Sequence, residues 1–130
     1  MNERYIIDAY AWIEYLIGSE PGISVKAILE DESNDIFTCA VTVADVVSKT
    51  IREGRNAETA YSILTGNSVI IDIDSEISRD AGVLHADMRK TRKDSGLSDA
   101  YVLAASRING SKILTGDPHF QGIQNAILVK

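Results

Sequence analysis

Four aspartates stand at places in the chain where the sequence predicts that a strand ends or a helix begins. Asp8 and Asp117 each follow a short apolar run, whereas Asp45 and Asp99 fall in the expected first turns of helices. Carboxylates that share a small volume repel one another unless cations or protons neutralise them. Their oxygens are hard ligands that suit Mg²⁺ or Mn²⁺, and two such ions can activate water against a phosphodiester. The four acids are therefore candidate ligands of one metal centre.

Each acid taken alone also has a purely structural explanation. Asp8 and Asp117 could cap the helices that follow them. Thr42 is the expected cap of its helix, and Asp45 lies three residues later, where a capping box places Glu or Gln. Asp99 could simply interact favourably with a helix dipole. The shared location of the four acids favours a common site over four separate caps.

Short apolar runs alternate along the chain with longer segments of helical periodicity. The expected strands cover residues 5–7, 36–40, 68–71, 112–115 and 126–129. The expected helices cover residues 11–17, a segment beginning at 21, then 42–53, 57–64, 74–92 and 98–108. Such alternation predicts an α/β fold with a mainly parallel sheet of four to five strands, covered on both faces. In these sheets chemistry occurs at the carboxyl ends of the strands.

The composition is that of one globular domain, which we expect to span residues 1–130. The chain is 45% hydrophobic and 25% charged, and its single cysteine, Cys39, excludes an intrachain disulfide and a cysteine-cluster zinc site. No apolar run reaches the roughly 18 residues of a membrane span, and the start has no signal-peptide pattern. We therefore expect a cytoplasmic protein without a membrane partner. Trp12 is expected in the core, and Cys39 is expected to be an inert buried thiol.

The net charge of −6 and the pI of about 4.8 argue against passive binding to nucleic acid. They do not exclude a nucleic-acid enzyme whose acids surround a metal. One short stretch is basic and is either a solvated helix end or a rim that contacts RNA; it contains Arg89, Lys90, Arg92 and Lys93.

Three segments together resemble the PIN domain family and, by size, the VapC-type toxin ribonucleases. They are the amino-terminal strand ending in Asp8, the helix start Ser98-Asp99-Ala100-Tyr101-Val102-Leu103-Ala104-Ala105-Ser106, and the segment Ile113-Leu114-Thr115-Gly116-Asp117-Pro118-His119-Phe120. The first segment is a weak signal alone, whereas the last two at their mutual spacing are fairly specific. The resemblance covers nearly the whole chain.

The resemblance implies a three-layer α/β/α sandwich and a metal-dependent endoribonuclease that uses Mg²⁺ or Mn²⁺. By position, Asp8 and Asp99 look like the main metal ligands. Asp45 and Asp117 look like the acids that support the metals and the attacking water. The resemblance also implies an RNA substrate, a cognate antitoxin protein and a homodimer.

The sequence departs from the family at two positions. The family usually has Glu where this chain has Asp45, and it commonly has Ser or Thr where this chain has Tyr10. Thr115 is either a hydrogen-bonding partner of an acid or metal-bound water, or an ordinary strand-end threonine. His85 and His119 are expected to be surface or half-buried residues rather than ligands.

Several other functions remain open from the sequence. An RNA-processing nuclease would use the same acids as a toxin, and an inactive PIN scaffold would be consistent with the two departures. A receiver-type signalling domain is less favoured, since it would have adjacent acids after the first strand, where Asp8 stands alone.

Overall fold

The computed structural model describes residues 3–129, which form an α/β structure with a five-stranded sheet. The strands are β1 (Arg4–Ile7), β2 (Asp35–Cys39), β3 (Val69–Ile71), β4 (Lys112–Thr115) and β5 (Ala126–Leu128). The helices are α1 (Ala9–Ile17), α2 (Glu20–Glu30), α3 (Ala40–Arg52), α4 (Ala57–Asn67), α5 (Ser75–Met88) and α6 (Leu97–Asn109), with a short 3-10 helix at Pro118–Phe120.

Alternation of side chains along the central strands separates two hydrophobic cores. Ile6 of β1 and Ile113 of β4 pack with α5 and α6, whereas Ile7 and Leu114 pack with the helices from α1 to α4. Successive side chains of a strand point to opposite faces of the sheet, so each central strand contributes to both cores. The expected three-layer α/β/α sandwich is confirmed.

All strand pairs are parallel, and the strand order is β3-β2-β1-β4-β5. The chain moves outward on one side of β1 and then returns to begin again on the other side at β4. The carboxyl ends of β1 and β4 therefore flank the point where the strand order reverses, which is where open α/β sheets bind ligands. Ile7 is in register with Leu114 at this point, so the residues that follow them lie side by side.

The helix that carries Asp45 begins earlier than the sequence predicts. Cys39 ends β2 in extended backbone, and α3 starts at once with Ala40, without a side-chain cap. Thr42 is 1% exposed and lies inside the helix, so its predicted role as a cap is wrong. Its side chain is buried in the first turn of α3 instead of preceding the helix. Asp45 consequently lies in the second turn of α3 rather than in the first.

Helix α5, which precedes Asp99, is shorter than the polar residues that follow it in the sequence suggest. The prediction extended it to Arg92, but α5 ends at Met88, and residues 89–96 form turns. Met88 is the last buried residue of the apolar stripe, so the helix ends where packing against the sheet ends.

Two predictions about single residues are confirmed. Trp12 is fully buried and donates a hydrogen bond from Nε1 to the hydroxyl of Thr38 at 3.0 Å. Cys39 is fully buried, and burial raises the pKa of its thiol, which lowers its reactivity. Within residues 3–129, none of the helices has the length and apolar character needed to cross a membrane.

Candidate active site

Asp8 is held at the carboxyl end of β1 by three hydrogen bonds. Its backbone N–H continues the sheet by donating to the carbonyl of Leu114 at 3.1 Å. Its Oδ1 accepts from the N–H of Ala11 at 2.9 Å and so caps α1. Its Oδ2 accepts from the hydroxyl of Thr115. The capping role considered from the sequence is thus real, and it coexists with a place beside the other acids.

Burial sets the protonation of Asp8. The side chain is almost inaccessible to water, and this desolvation raises its pKa to about 7. The hydrogen bonds from Thr115 and Ala11 oppose the shift, while the carboxylates of Asp117 and Asp99 add to it. The charges of three of the predicted acids therefore act on one another.

Thr115 connects Asp8 to Asp117. Its hydroxyl, which donates to Asp8, also accepts from the backbone N–H of Asp117 at 2.9 Å. Asp117 in turn caps the 3-10 helix, since its Oδ1 accepts from the N–H of His119 at 2.9 Å. Thr115 is fully buried, so it is a positioning residue and not merely a strand-end threonine.

Asp99 reaches the same place from the first turn of α6. Its Oδ2 accepts from the N–H of Gly96 at 3.4 Å. Burial raises the pKa of Asp99, and the nearby Asp117 carboxylate raises it further. The amino terminus of α6 carries the positive end of a helix dipole, which favours an anion at this position.

His119 lies within the acidic cluster, whereas the sequence favours an ordinary surface or half-buried residue. Its Nδ1 lies 3.1 Å from Asp117 and 3.3 Å from Asp99, and its Nε2 lies 3.0 Å from Asp94. The contact with Asp94 raises the pKa of His119, which the charges of Asp117 and Asp99 support. The order Asp117-Pro118-His119 is the sequence signal for this contact, because the tight turn after Asp117 brings the imidazole of His119 back to the Asp117 carboxylate.

The ligand atoms of Asp99, Asp117 and His119 all lie within 4.8 Å of one another. This separation and this donor set fit a single hard or borderline divalent cation. Asp8 lies beside them with a carboxylate that is costly to keep charged in its buried setting. A cation would compensate that charge, so the residues present fit a metal centre.

Asp45 lies apart from this hydrogen-bonded network. It lines a groove of about 280 Å³ between α1 and α3, together with Tyr10, Lys49 and Arg52. Among residues 3–129, no hydrogen bond or ion pair joins Asp45 to the other three acids. The structure thus brings Asp8, Asp99 and Asp117 together and places Asp45 in the adjoining groove.

The basic stretch lies in the turns between α5 and α6. Lys90 is 3.8 Å from Asp87, and Arg92 donates to the carbonyl of Gln121 at 2.8 Å. Asp94, two residues further on, contacts His119. The stretch therefore borders the acidic cluster, with Arg92 engaged in holding the loop that follows the 3-10 helix.

Tyr10 borders the cluster on its other side. A Cβ added to Gly116 would lie 2.2 Å from Cε1 of Tyr10, so the ring packs directly on the glycine backbone. Gly116 separates Thr115 from Asp117, and only a residue without a side chain leaves room for the aromatic ring.

Comparisons with known proteins agree with this fold. The family model of the PIN domain matches residues 5–125. No curated protein matches the chain. A toxin–antitoxin complex from Klebsiella pneumoniae has a similar structure, with a TM-score of 0.72, 18% identity and coverage of 95% of each chain.

Two further solved structures are similar in fold. VapC20 of Mycobacterium tuberculosis, a sarcin–ricin loop cleaving toxin, has a TM-score of 0.69 and 15% identity, covering 83% of this chain and 85% of that one. VapBC-1 of nontypeable Haemophilus influenzae has a TM-score of 0.69 and 17% identity, covering 96% of each chain. At these identities the likeness concerns the fold, whereas the family match extends over nearly the whole sequence. The chain belongs to the PIN domain family.

Proposed function

We propose that this protein is a divalent-metal-dependent endoribonuclease and the toxin of a toxin–antitoxin pair. The observation that carries the proposal is the convergence of Asp99, Asp117 and His119 within 4.8 Å, next to the buried Asp8. The cluster lies at the carboxyl ends of β1 and β4, where the strand order reverses. Membership of the PIN family supports assigning nuclease chemistry to it.

The carboxylates are suited to Mg²⁺ or Mn²⁺. Such ions, when bound, promote formation of a hydroxide nucleophile and stabilise negative charge that develops on a phosphodiester. Asp8, Asp99 and Asp117 would hold the metal, and Asp45 would support it from the adjoining groove. Without metal, a protonated His119 offsets part of the negative charge of Asp94, Asp99 and Asp117. To contact a cation, His119 would have to give up the proton on Nδ1.

The hydrogen bonds around the acids prepare them for this role. Thr115 orients Asp8 and the backbone of Asp117 at once. The N–H group of Ala11 donates to Oδ1 of Asp8, and the N–H group of Gly96 donates to Oδ2 of Asp99. Because these contacts exist before substrate arrives, little reorganisation is needed at the moment of reaction.

The choice of RNA and of a protein inhibitor is supported by the similar structures. One is a sarcin–ricin loop cleaving toxin, and another is a toxin–antitoxin complex. An antitoxin that presents an Arg to the acids would make strong charge-assisted hydrogen bonds there. Arg89, Lys90, Arg92 and Lys93 border the cluster and would form a rim for the RNA backbone. The working unit would be a homodimer.

The experiment measures cleavage of total RNA by the purified chain with Mg²⁺, with Mn²⁺ and with a chelator. Asp8→Asn removes charge from the buried acid at nearly constant volume and is expected to abolish cleavage. Asp72→Asn makes the same change at an exposed position and should leave cleavage unaltered. Cleavage that persists in chelator, or in the Asp8→Asn protein, would contradict the mechanism. Co-expression with the neighbouring reading frame tests the antitoxin, which should copurify and suppress cleavage.

A further inference from the structure

The groove beside the acidic cluster has features that the chemistry of the cluster does not require. It runs between the first turns of α1 and the middle of α3. Its walls are formed by Ala9, Tyr10, Ile13 and Glu14 from α1, and by Asp45, Lys49 and Arg52 from α3. One end of the groove adjoins the carboxyl edge of the sheet, because α1 and α3 both begin at that edge.

Tyr10 offers an aromatic surface where the groove meets the acids. The side chain is 41% exposed although its ring packs on Gly116. This packing holds the ring between the Thr115–Asp117 segment and the groove. An exposed, supported aromatic ring is a platform on which an unpaired base can stack, at a gain of about 1–3 kcal/mol per base.

Lys49 and Arg52 place positive charge further along the same groove. With Asp45 they occupy positions i, i+4 and i+7 of α3, which lie on one face of a helix. At 1.5 Å per residue they lie about 6 Å and about 10 Å beyond Asp45, away from the carboxyl edge of the sheet.

Both cations are available to a ligand. Each is exposed, and in the described part of the chain neither comes within 4.0 Å of a carboxylate oxygen. Arg52 makes only a hydrogen bond of 3.3 Å to the hydroxyl of Ser48. The other acid of the groove, Glu14, accepts a hydrogen bond from the hydroxyl of Ser19.

We infer that this groove binds single-stranded RNA on one side of the acidic cluster, with a base stacked on Tyr10 and phosphates on Lys49 and Arg52. The inference rests on the proposed function and names the route of its substrate. Proteins bind single-stranded RNA by stacking aromatic side chains on its bases and by placing Lys and Arg side chains along its phosphates. A chain with a net charge of −6 needs such local cations to hold RNA.

Binding is measured by fluorescence anisotropy with a labelled single-stranded RNA of mixed sequence, in Mg²⁺ and over a range of salt. All proteins carry Asp8→Asn so that the probe is not cut. Lys49→Ala combined with Arg52→Ala should weaken binding and lower the slope of log affinity against log salt by about 1.4, at roughly 0.7 per phosphate contact. Lys26→Ala combined with Lys112→Ala changes the net charge equally at exposed sites away from the groove and should preserve the slope.

Substitutions of Tyr10 test the stacking contact separately. Tyr10→Leu keeps an apolar contact with Gly116 but removes the aromatic face, and it should weaken binding roughly 5- to 150-fold. Tyr10→Phe retains the face and should bind within about twofold of the parent. Urea unfolding of each variant shows that the fold is kept.

The outcomes separate this inference from the proposed function. RNA binding that depends on these three residues in a protein that never cleaves RNA would support the groove and refute the nuclease. Cleavage by the otherwise unmodified chain, with RNA affinity and salt slope unchanged by the groove substitutions, would overturn the groove alone. Failure of the Asp8→Asn parent to bind the RNA would also overturn it. If the groove variants lose a copurifying protein but not RNA, the groove is a protein interface instead.

Discussion

The hydroxyl of Thr115 donates a hydrogen bond to Oδ2 of Asp8, across the two strands that flank the reversal of the sheet order. The two residues are 107 positions apart in the chain. The same hydroxyl accepts from the N–H of Asp117. One buried side chain therefore sets the positions of two acids.

Thr115→Val should destabilise the protein and reduce RNA cleavage. Valine has the shape of threonine but leaves the Asp117 N–H without its acceptor, at a cost of about 1–3 kcal/mol in the free energy of unfolding. Thr115→Ser keeps the hydroxyl and should lose only about 0.8 kcal/mol for the missing methyl group. Urea unfolding and cleavage rates measure both variants. Equal behaviour of the valine and serine proteins would show that the hydroxyl is dispensable.

Metal-free protein should lose stability as the pH rises from about 4 to about 7. Burial raises the pKa of Asp8 from 3.8 to about 7, so the folded chain binds this proton more tightly than the unfolded chain. Stability then falls through that window, by up to about 4 kcal/mol at 1.36 kcal/mol per pKa unit.

Asp8→Asn should flatten this dependence, because the amide does not titrate. The measurement is urea unfolding in chelator at several pH values for both proteins. Their difference isolates Asp8 from the other acids. Parallel profiles for the two proteins would contradict the raised pKa.

Adding Mg²⁺ at 100 times its dissociation constant should stabilise the parent protein by about 2.7 kcal/mol.

Gly116→Ala should displace the ring of Tyr10. The new methyl group would meet Cε1 at 2.2 Å, and overpacking of this kind costs about 1–3 kcal/mol. In the Tyr10→Ala background the clash is absent, so the same change should cost less. A double-mutant cycle of unfolding free energies should give a coupling of about 0.5–3 kcal/mol. Additive effects would mean that the ring does not rest on the glycine.

Gly22→Ala should be strongly destabilising at the contact between α1 and α2. The Cβ would lie 2.2 Å from the backbone carbonyl oxygen of Glu14, which cannot move without shifting α1. We expect a loss of about 3 kcal/mol, the upper part of the range for overpacking. Gly82→Ala is the matched control, since it meets no atom within 4 Å inside α5 and should stabilise by about 0.5–1 kcal/mol. Similar unfolding free energies for both variants would contradict the packing described.

Asp45→Glu should raise cleavage or metal affinity. The added methylene lengthens the reach of this acid from the groove toward the acidic cluster, and restores the residue usual in the family. A gain of up to about tenfold would correspond to about 1.4 kcal/mol. Mg²⁺ titrations of the cleavage rate measure it, with Asp72→Glu as an exposed control. An unchanged response would remove Asp45 from the metal centre.

Much of the fold could be predicted from the sequence because it depends on local patterns. Apolar runs of strand length alternate with helical periodicity, which predicts a parallel sheet covered by helices. The places of Asp8 and Asp117 after two such strands follow from the same pattern. Helix ends were less predictable, since Thr42 has the chemistry of a cap but lies buried inside α3.

The composition of the site was decided by the tertiary structure. From the local sequence, His119 is indistinguishable from an ordinary polar residue. Only the tight turn after Asp117 places its ring among three carboxylates. The resemblance to the family places Asp45 with the other acids, whereas in the structure Asp45 lies on α3 and lines the groove with Tyr10. The residue types and the succession of strands and helices could be predicted from the chain. The order of strands in the sheet and the distances between side chains remote in sequence depend on how the elements pack. That is why the sequence alone predicted the acids and the sheet edge and left two roles open for Thr115. The contacts in the folded protein decided between those two roles and assigned roles to His119 and Tyr10.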